Sequence, residues 1–179
     1  MSHALIIGGS GMLKDASIWL ATHFDYVTVI GRSKQKMNSL IKQCPNLYPL
    51  YLDYHDTNHL KLEVENQIRK LGHVDIVVAW VHSTAPNALP TIIHLLAKQP
   101  NQWSLVHILG SSSNLEAIKK TISVPENCTY TQVQLGFVRE NNQSRWLTNS
   151  EISSGVIKAI SQKEEKYIVG TIEPWELRP

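Results

Sequence analysis

A doubly wound, mostly parallel α/β sheet of six or seven strands with helices on both faces is the architecture this sequence predicts. Three observations predict it. Short β-branched runs alternate with segments of helical spacing along nearly the whole chain. Several runs are almost continuously apolar, as parallel strands covered on both faces are. No repeat and no Pro/Gly/Ser-rich linker interrupts the alternation over 179 residues, so one continuous domain spanning residues 1–179 is expected.

The elements follow in order. Ala4–Ile7 is a first strand that ends in glycines and passes into Leu13, Ala16 and Leu20, one face of a helix. Tyr26–Ile30 is the second strand, followed by the helical spacing of Met37, Leu40 and Ile41. Leu47–Leu52 is the third, and Leu60, Val64, Ile68 and Leu71 mark the helix behind it, with Asp56 or Thr57 as its cap. Asp75–Trp80 and Ser104–Leu109 are the fourth and fifth strands, with Leu89, Ile92 and Leu96 between them. Thr129–Val138 reads as one long sixth strand. Thr148 and Glu151, a hydroxyl and a carboxylate three apart, form a capping box that starts a helix through Ile152, Val156, Ala159 and Ile160. Tyr167–Val169 closes the series.

Composition excludes several classes. Hydrophobic residues at 42% and charged residues at 18% rule out a disordered or low-complexity chain. A formal charge of +2, without any block of like charges, gives no case for nucleic acid or a membrane surface as partner. Cys44 and Cys128 form neither a CxxC pair nor a metal-ligand spacing, which fits a reduced compartment. No leader peptide is visible and the longest apolar stretch, Ile76–Val81, is far too short to span a membrane, so a cytoplasmic, soluble protein is expected.

In a doubly wound sheet ligands bind beyond the carboxyl ends of the strands, where strand order reverses. The first strand ends there in Gly8-Gly9-Ser10-Gly11-Met12-Leu13-Lys14. Glycines let the backbone turn tightly and bring amides to a pyrophosphate at the positive end of the following helix. Glycines 8, 9 and 11 fit the first two positions of a dinucleotide fingerprint, and Lys14 stands at the third; a plain glycine-rich turn without ligand is the other reading. The ribose reader belongs at the end of the second strand, and counting 21 residues from Gly11 leads to Arg32, followed by Ser33 and Lys34. An acidic residue there would suit a free 2′-hydroxyl, whereas arginine with serine suits a 2′-phosphate, so NADP is favoured over NAD. A solvated helix entry is the alternative.

With these motifs the sequence resembles the short-chain dehydrogenase/reductase superfamily. The resemblance implies a cofactor site built from Gly8, Gly9, Ser10, Gly11, Met12, Arg32 and Ser33, with Asp53 touching the adenine and Tyr54 bordering it. Trp80 and Val81 stand in the stretch after the fourth strand where the family lines its cofactor with Asn-Ala-Gly. Ser111, Ser112 and Ser113 occupy the place of the serine that orients the substrate carbonyl. The family's catalytic pair, a tyrosine with a lysine four residues later, is missing: none of the six tyrosines has a lysine at that spacing. The resemblance therefore points to an atypical member.

His82, with Ser83, ends the central fourth strand, where it could protonate a product or merely orient the cofactor. The catalytic candidates are thus His82, Ser111 and Ser112. His55 and His59 share a helix face if that helix begins by position 55, which raises a metal only to dismiss it for want of further ligands. Arg139, Arg145 and Trp146 lie in a loop that either covers the nicotinamide side or is solvated surface. Trp175, beside Pro174, either docks on a second subunit or tucks against its own sheet. The functional expectation is a small NADP-dependent reductase passing hydride to an activated acceptor. Its alternative is a non-catalytic NADP-binding sensor. A small-molecule substrate or none, no nucleic acid and no membrane are expected as partners, with homo-oligomerisation left open.

Overall fold

The computed structural model describes residues 1–179. Its sheet has seven strands, all parallel, in the order β3-β2-β1-β4-β5-β6-β9. These are β1 (His3–Ile7), β2 (Tyr26–Gly31), β3 (Leu47–Tyr51), β4 (Ile76–Ala79), β5 (Trp103–Leu109), β6 (Cys128–Leu135) and β9 (Lys166–Val169). The helices are α1 (Lys14–His23), α2 (Lys34–Ile41), α3 (Thr57–Leu71), α4 (Ala88–Leu96), α5 (Leu115–Thr121) and α6 (Asn149–Gln162). This is the Rossmann-like α/β architecture the alternation implies, and the order reverses between β1 and β4.

Strand residues alternate between two cores because successive side chains leave a strand on opposite faces. Ala4, Ile6, Val27, Val29 and Val78 pack with Leu13 just ahead of α1, Leu20 of α1, Met37 of α2 and Ile152 and Val156 of α6. Leu5, Ile7, Ile30, Val77 and Leu105 face Leu60 and Val64 of α3 and Ile92 and Leu96 of α4. Covered on both sides, β1 and β4 bury every residue.

The helix starts are local chemistry. Asp56 caps α3 by accepting from the His59 amide at 3.0 Å, and Thr148 and Glu151 close the capping box of α6. Because α3 begins at Thr57, His55 precedes the helix and does not share a face with His59. The run read as one sixth strand is two. Gly136 interrupts it, since a Cβ there would lie 2.1 Å from the Thr171 carbonyl oxygen. Beyond the break, β7 (Phe137–Glu140) pairs antiparallel with β8 (Gln143–Trp146), a strand where the sequence reads as loop. The turn between them places Asn141 and Asn142 both at positive φ, 49° and 64°, the backbone of a tight hairpin turn that asparagine tolerates. Trp175 sits in a 3-10 turn, 39% exposed, with Arg178 over its ring. No helix is long and apolar enough to cross a membrane.

Candidate functional site

The turn after β1 is shaped by close approach. Gly8 has φ 81°, a conformation side chains rarely adopt, and a Cβ on Gly9 would lie 2.5 Å from Ser17 Oγ and 2.9 Å from Ile6. Buried Ser17 donates to the Gly9 carbonyl at 2.8 Å, and Ser153 of α6 donates to the Met12 carbonyl at 2.9 Å, so the turn is held from both sides. Ser10 lies against the end of β2, its Oγ 3.2 Å from where a Cβ on Gly31 would be. Above Gly11 there is nothing within 4 Å of an added Cβ, and α1 starts behind it with no side chain capping its amides. Open space over a glycine and an uncapped helix end are what a pyrophosphate needs. Lys14, in the third fingerprint position, is the half-exposed first residue of α1.

At the next strand end Arg32 has a side chain 70% exposed and stands 3.8 Å from the Asp53 carboxylate. An exposed pair at that distance is a weak tie, leaving the guanidinium able to meet a phosphate. Ser33 caps α2, its hydroxyl accepting from the Lys36 amide at 3.3 Å. Asp53 is bound more firmly by His55, through the His55 amide at 3.1 Å and Nδ1 at 2.6 Å, and these bonds, with Arg32 adding, hold its carboxyl below the usual range. The ring of Tyr54 stacks on His55, and its hydroxyl accepts from the His82 amide at 3.3 Å.

That contact leads to the end of β4. His55 Nε2 lies 2.9 Å from Thr84 Oγ1, which lies 3.0 Å from His82 Nδ1; the Thr84 amide also donates to Nδ1 at 3.3 Å. A carboxylate partner requires a proton on His55 Nδ1, and the Thr84 amide requires a lone pair on His82 Nδ1. Neutral His82 therefore carries its proton on Nε2. Arg32, Asp53, His55, Thr84 and His82 form one hydrogen-bonded and ionic line from the second strand end to the fourth. Nothing in the sequence marks Thr84, whose partners come from two different strand ends.

Beyond β4 and β5 lies a cleft of about 660 Å³. Trp80, Val81 and His82 line its β4 side and Gly110, Ser112 and Ser113 its β5 side. Trp80 also packs on the glycine turn, its Cδ1 3.5 Å from a Cβ built on Gly8. Buried Gln134 of β6 braces the serine turn, its Nε2 donating to the Ser111 carbonyl at 3.1 Å and the Ser113 carbonyl at 3.0 Å. Ser112 and Ser113 line the cleft, whereas Ser111 contributes that braced carbonyl. At the floor His107 Nδ1 meets Tyr130 Oη at 2.9 Å. Burial lowers the His107 pKa to about 4 and raises that of Tyr130 to about 12, so both are neutral at ordinary pH. No lysine partners this tyrosine.

The arginine-bearing loop after β6 is the β7–β8 hairpin. Arg145 is held there at 2.9 Å by Glu140 and 2.9 Å by Glu151, which keeps the Glu151 carboxyl at about 2.

No family model matches the sequence, and no curated protein matches it. The fold does match solved structures. An apo SCOR enzyme from Clostridium thermocellum aligns with TM-score 0.70 at 18% identity, over 94% of this chain and 91% of that one. A short-chain dehydrogenase from Streptomyces avermitilis aligns with TM-score 0.71 at 14% identity, over 94% and 88%. At such identities the likeness is one of fold.

Proposed function

We propose that this chain is a small NADPH-dependent reductase acting on an activated acceptor. One observation carries the reading: a phosphate-ready turn, an exposed guanidinium and a cleft follow one another along the carboxyl edge, at the point where strand order reverses. In the turn from Gly8 to Met12 the amides of Gly9, Ser10 and Met12 meet the pyrophosphate, while those of Gly8 and Gly11 bond the Ile30 and Gly8 carbonyls, and Arg32 with Ser33 takes the 2′-phosphate. Asp53 and Tyr54 border the adenine, and Trp80 and Val81 line the nicotinamide half. When bound, the reduced nicotinamide supplies hydride. Ser112, with Ser111 beside it, orients the acceptor carbonyl, neutral His82 steadies the oxygen that becomes negative through a hydrogen bond from Nε2–H, and solvent water supplies the proton that this oxygen takes up. Thr84 keeps Nδ1 occupied, so the proton stays on Nε2.

A second reading, a non-catalytic NADP-binding sensor, is favoured by the missing tyrosine–lysine pair and by the commitment of Tyr130 to His107. The fold likeness to a solved short-chain dehydrogenase supports the first reading. Calorimetric titration with NADPH and NADH tests the shared premise. NADPH should bind more tightly, and Arg32→Ala should weaken it by roughly ten- to a hundredfold, the worth of one or two charge-assisted bonds. Absence of nucleotide binding would overturn both readings. Oxidation of bound NADPH by quinone, flavin or enone acceptors separates them: turnover selects the reductase, and binding without turnover selects the sensor.

A further inference from the structure

We propose that the cleft beyond β4 and β5 binds an uncharged, ring-bearing organic molecule and discriminates against its anionic analogue. This deepens the reductase reading by naming the substrate class, and it rests on that reading only for the reaction that follows binding.

The lining carries the argument. Of 17 residues around about 660 Å³, none is Lys, Arg, Asp or Glu. The volume is that of a small-molecule site, and such sites combine apolar walls with a few convergent polar groups. Here Trp80, Pro86, Leu89 and Ile118 are the walls, and the polar groups are the neutral donors of Ser83, Ser112 and Ser113 beside the imidazole of His82. A carbonyl or hydroxyl finds partners among them. A carboxylate would lose its hydration without meeting a cation, which is costly in such surroundings.

The basic groups nearby are engaged or turned elsewhere. His107 is neutral in its buried bond to Tyr130. On α5, Lys119 reaches Glu165 at 3.2 Å, and neither it nor Lys120 lines the cleft. The last turn of the seven-residue α5, at Ile118 and Thr121, forms one wall of the cleft. Trp80 offers an indole for a flat ring to stack on, and it touches both cleft and glycine turn, so a ring held there lies next to the nucleotide groove.

The test uses an isosteric pair, 2-naphthamide and 2-naphthoate, titrated calorimetrically at neutral pH with NADPH titrated in parallel. The amide should bind at least about tenfold more tightly, a difference of about 1.4 kcal/mol. Thr121→Lys, an exposed position at the cleft wall, should narrow that ratio by strengthening naphthoate. Ile118→Trp should crowd the cleft wall and weaken naphthamide binding by about tenfold with NADPH affinity unchanged. Equal affinities, a preference for naphthoate, binding of neither probe, or naphthamide binding untouched by Ile118→Trp would each overturn the proposal. Failure of the cofactor reading looks different: naphthamide binds with these mutational responses while NADPH does not.

Discussion

Thr84 has no acid–base chemistry of its own, yet its hydroxyl meets His55 and His82 and its amide meets His82 again. Thr84→Val keeps the shape and the amide while removing the hydroxyl. In the reductase reading this should slow NADPH oxidation by about tenfold, the worth of one lost hydrogen bond to the imidazole that steadies the developing oxyanion, with NADPH affinity unchanged. Nitrogen NMR of the His82 ring should show a shifted Nδ1 resonance as the hydroxyl contact is lost, with the Nε2–H form kept by the amide that remains. An unaltered His82 spectrum would remove Thr84 from any role in orienting it. Site residues that sit in consecutive positions after a strand, such as Gly8 to Met12 or Trp80 to His82, are legible in the sequence because one strand end delivers them together. Thr84, His55 and Gln134 are not, because their roles arise only when separate strand ends meet. Gln134 reads as an ordinary strand residue until β6 lies beside β5 and its amide reaches the serine turn.

Helix α6 packs so closely on β9 that a Cβ on Gly155 would lie 2.4 Å and 2.5 Å from the two methyls of Val169. Valine is stiff and this one is buried, so the clash cannot be relieved by a rotating side-chain end. Gly155→Ala should gain about 1 kcal/mol in helix propensity and lose about 1–3 kcal/mol to overpacking, for a net fall in melting temperature. Adding Val169→Ala should offset much of the clash, so the double variant loses less than the sum of the two single ones in denaturant unfolding. Strict additivity would mean that the helix and strand simply move apart. The same tight geometry explains where element boundaries escape the sequence. Gly136 sits inside an apolar run that reads as continuous strand, and only the backbone of Thr171, 35 positions later, demands the break. The hairpin beyond carries a legible signal, since adjacent asparagines suit a turn with two positive φ angles, but short polar β7 and β8 lack the apolar alternation that marks a half-buried strand.

At the scale of the molecule, two buried histidines on strands of the sheet, His3 of β1 and His107 of β5, couple folding to pH. His107 has its pKa lowered to about 4 by burial, and that of His3 is lowered too, chiefly by burial, with its bond to the Gly72 carbonyl opposing. The unfolded chain takes up these protons near pH 6.5 and the native one does not, so stability is full above that value and falls as pH drops toward 4. For His107 the whole difference is worth about 3 kcal/mol. Urea midpoints should therefore decline across this window, and less steeply in His107→Gln; a flat profile would mean that the ring is solvated. The overall architecture was legible because alternation and apolar runs are properties of the whole chain rather than of single contacts. One brace spans nearly all of that chain: Ser153 holds the Met12 carbonyl from 141 positions away. A ribosome makes the glycine turn first, its Ser17 support soon after and its Ser153 support nearly last. The turn therefore stays half-buttressed through most of the chain's own synthesis, and in the reductase reading competence to take up a nucleotide arrives as a late event in translation.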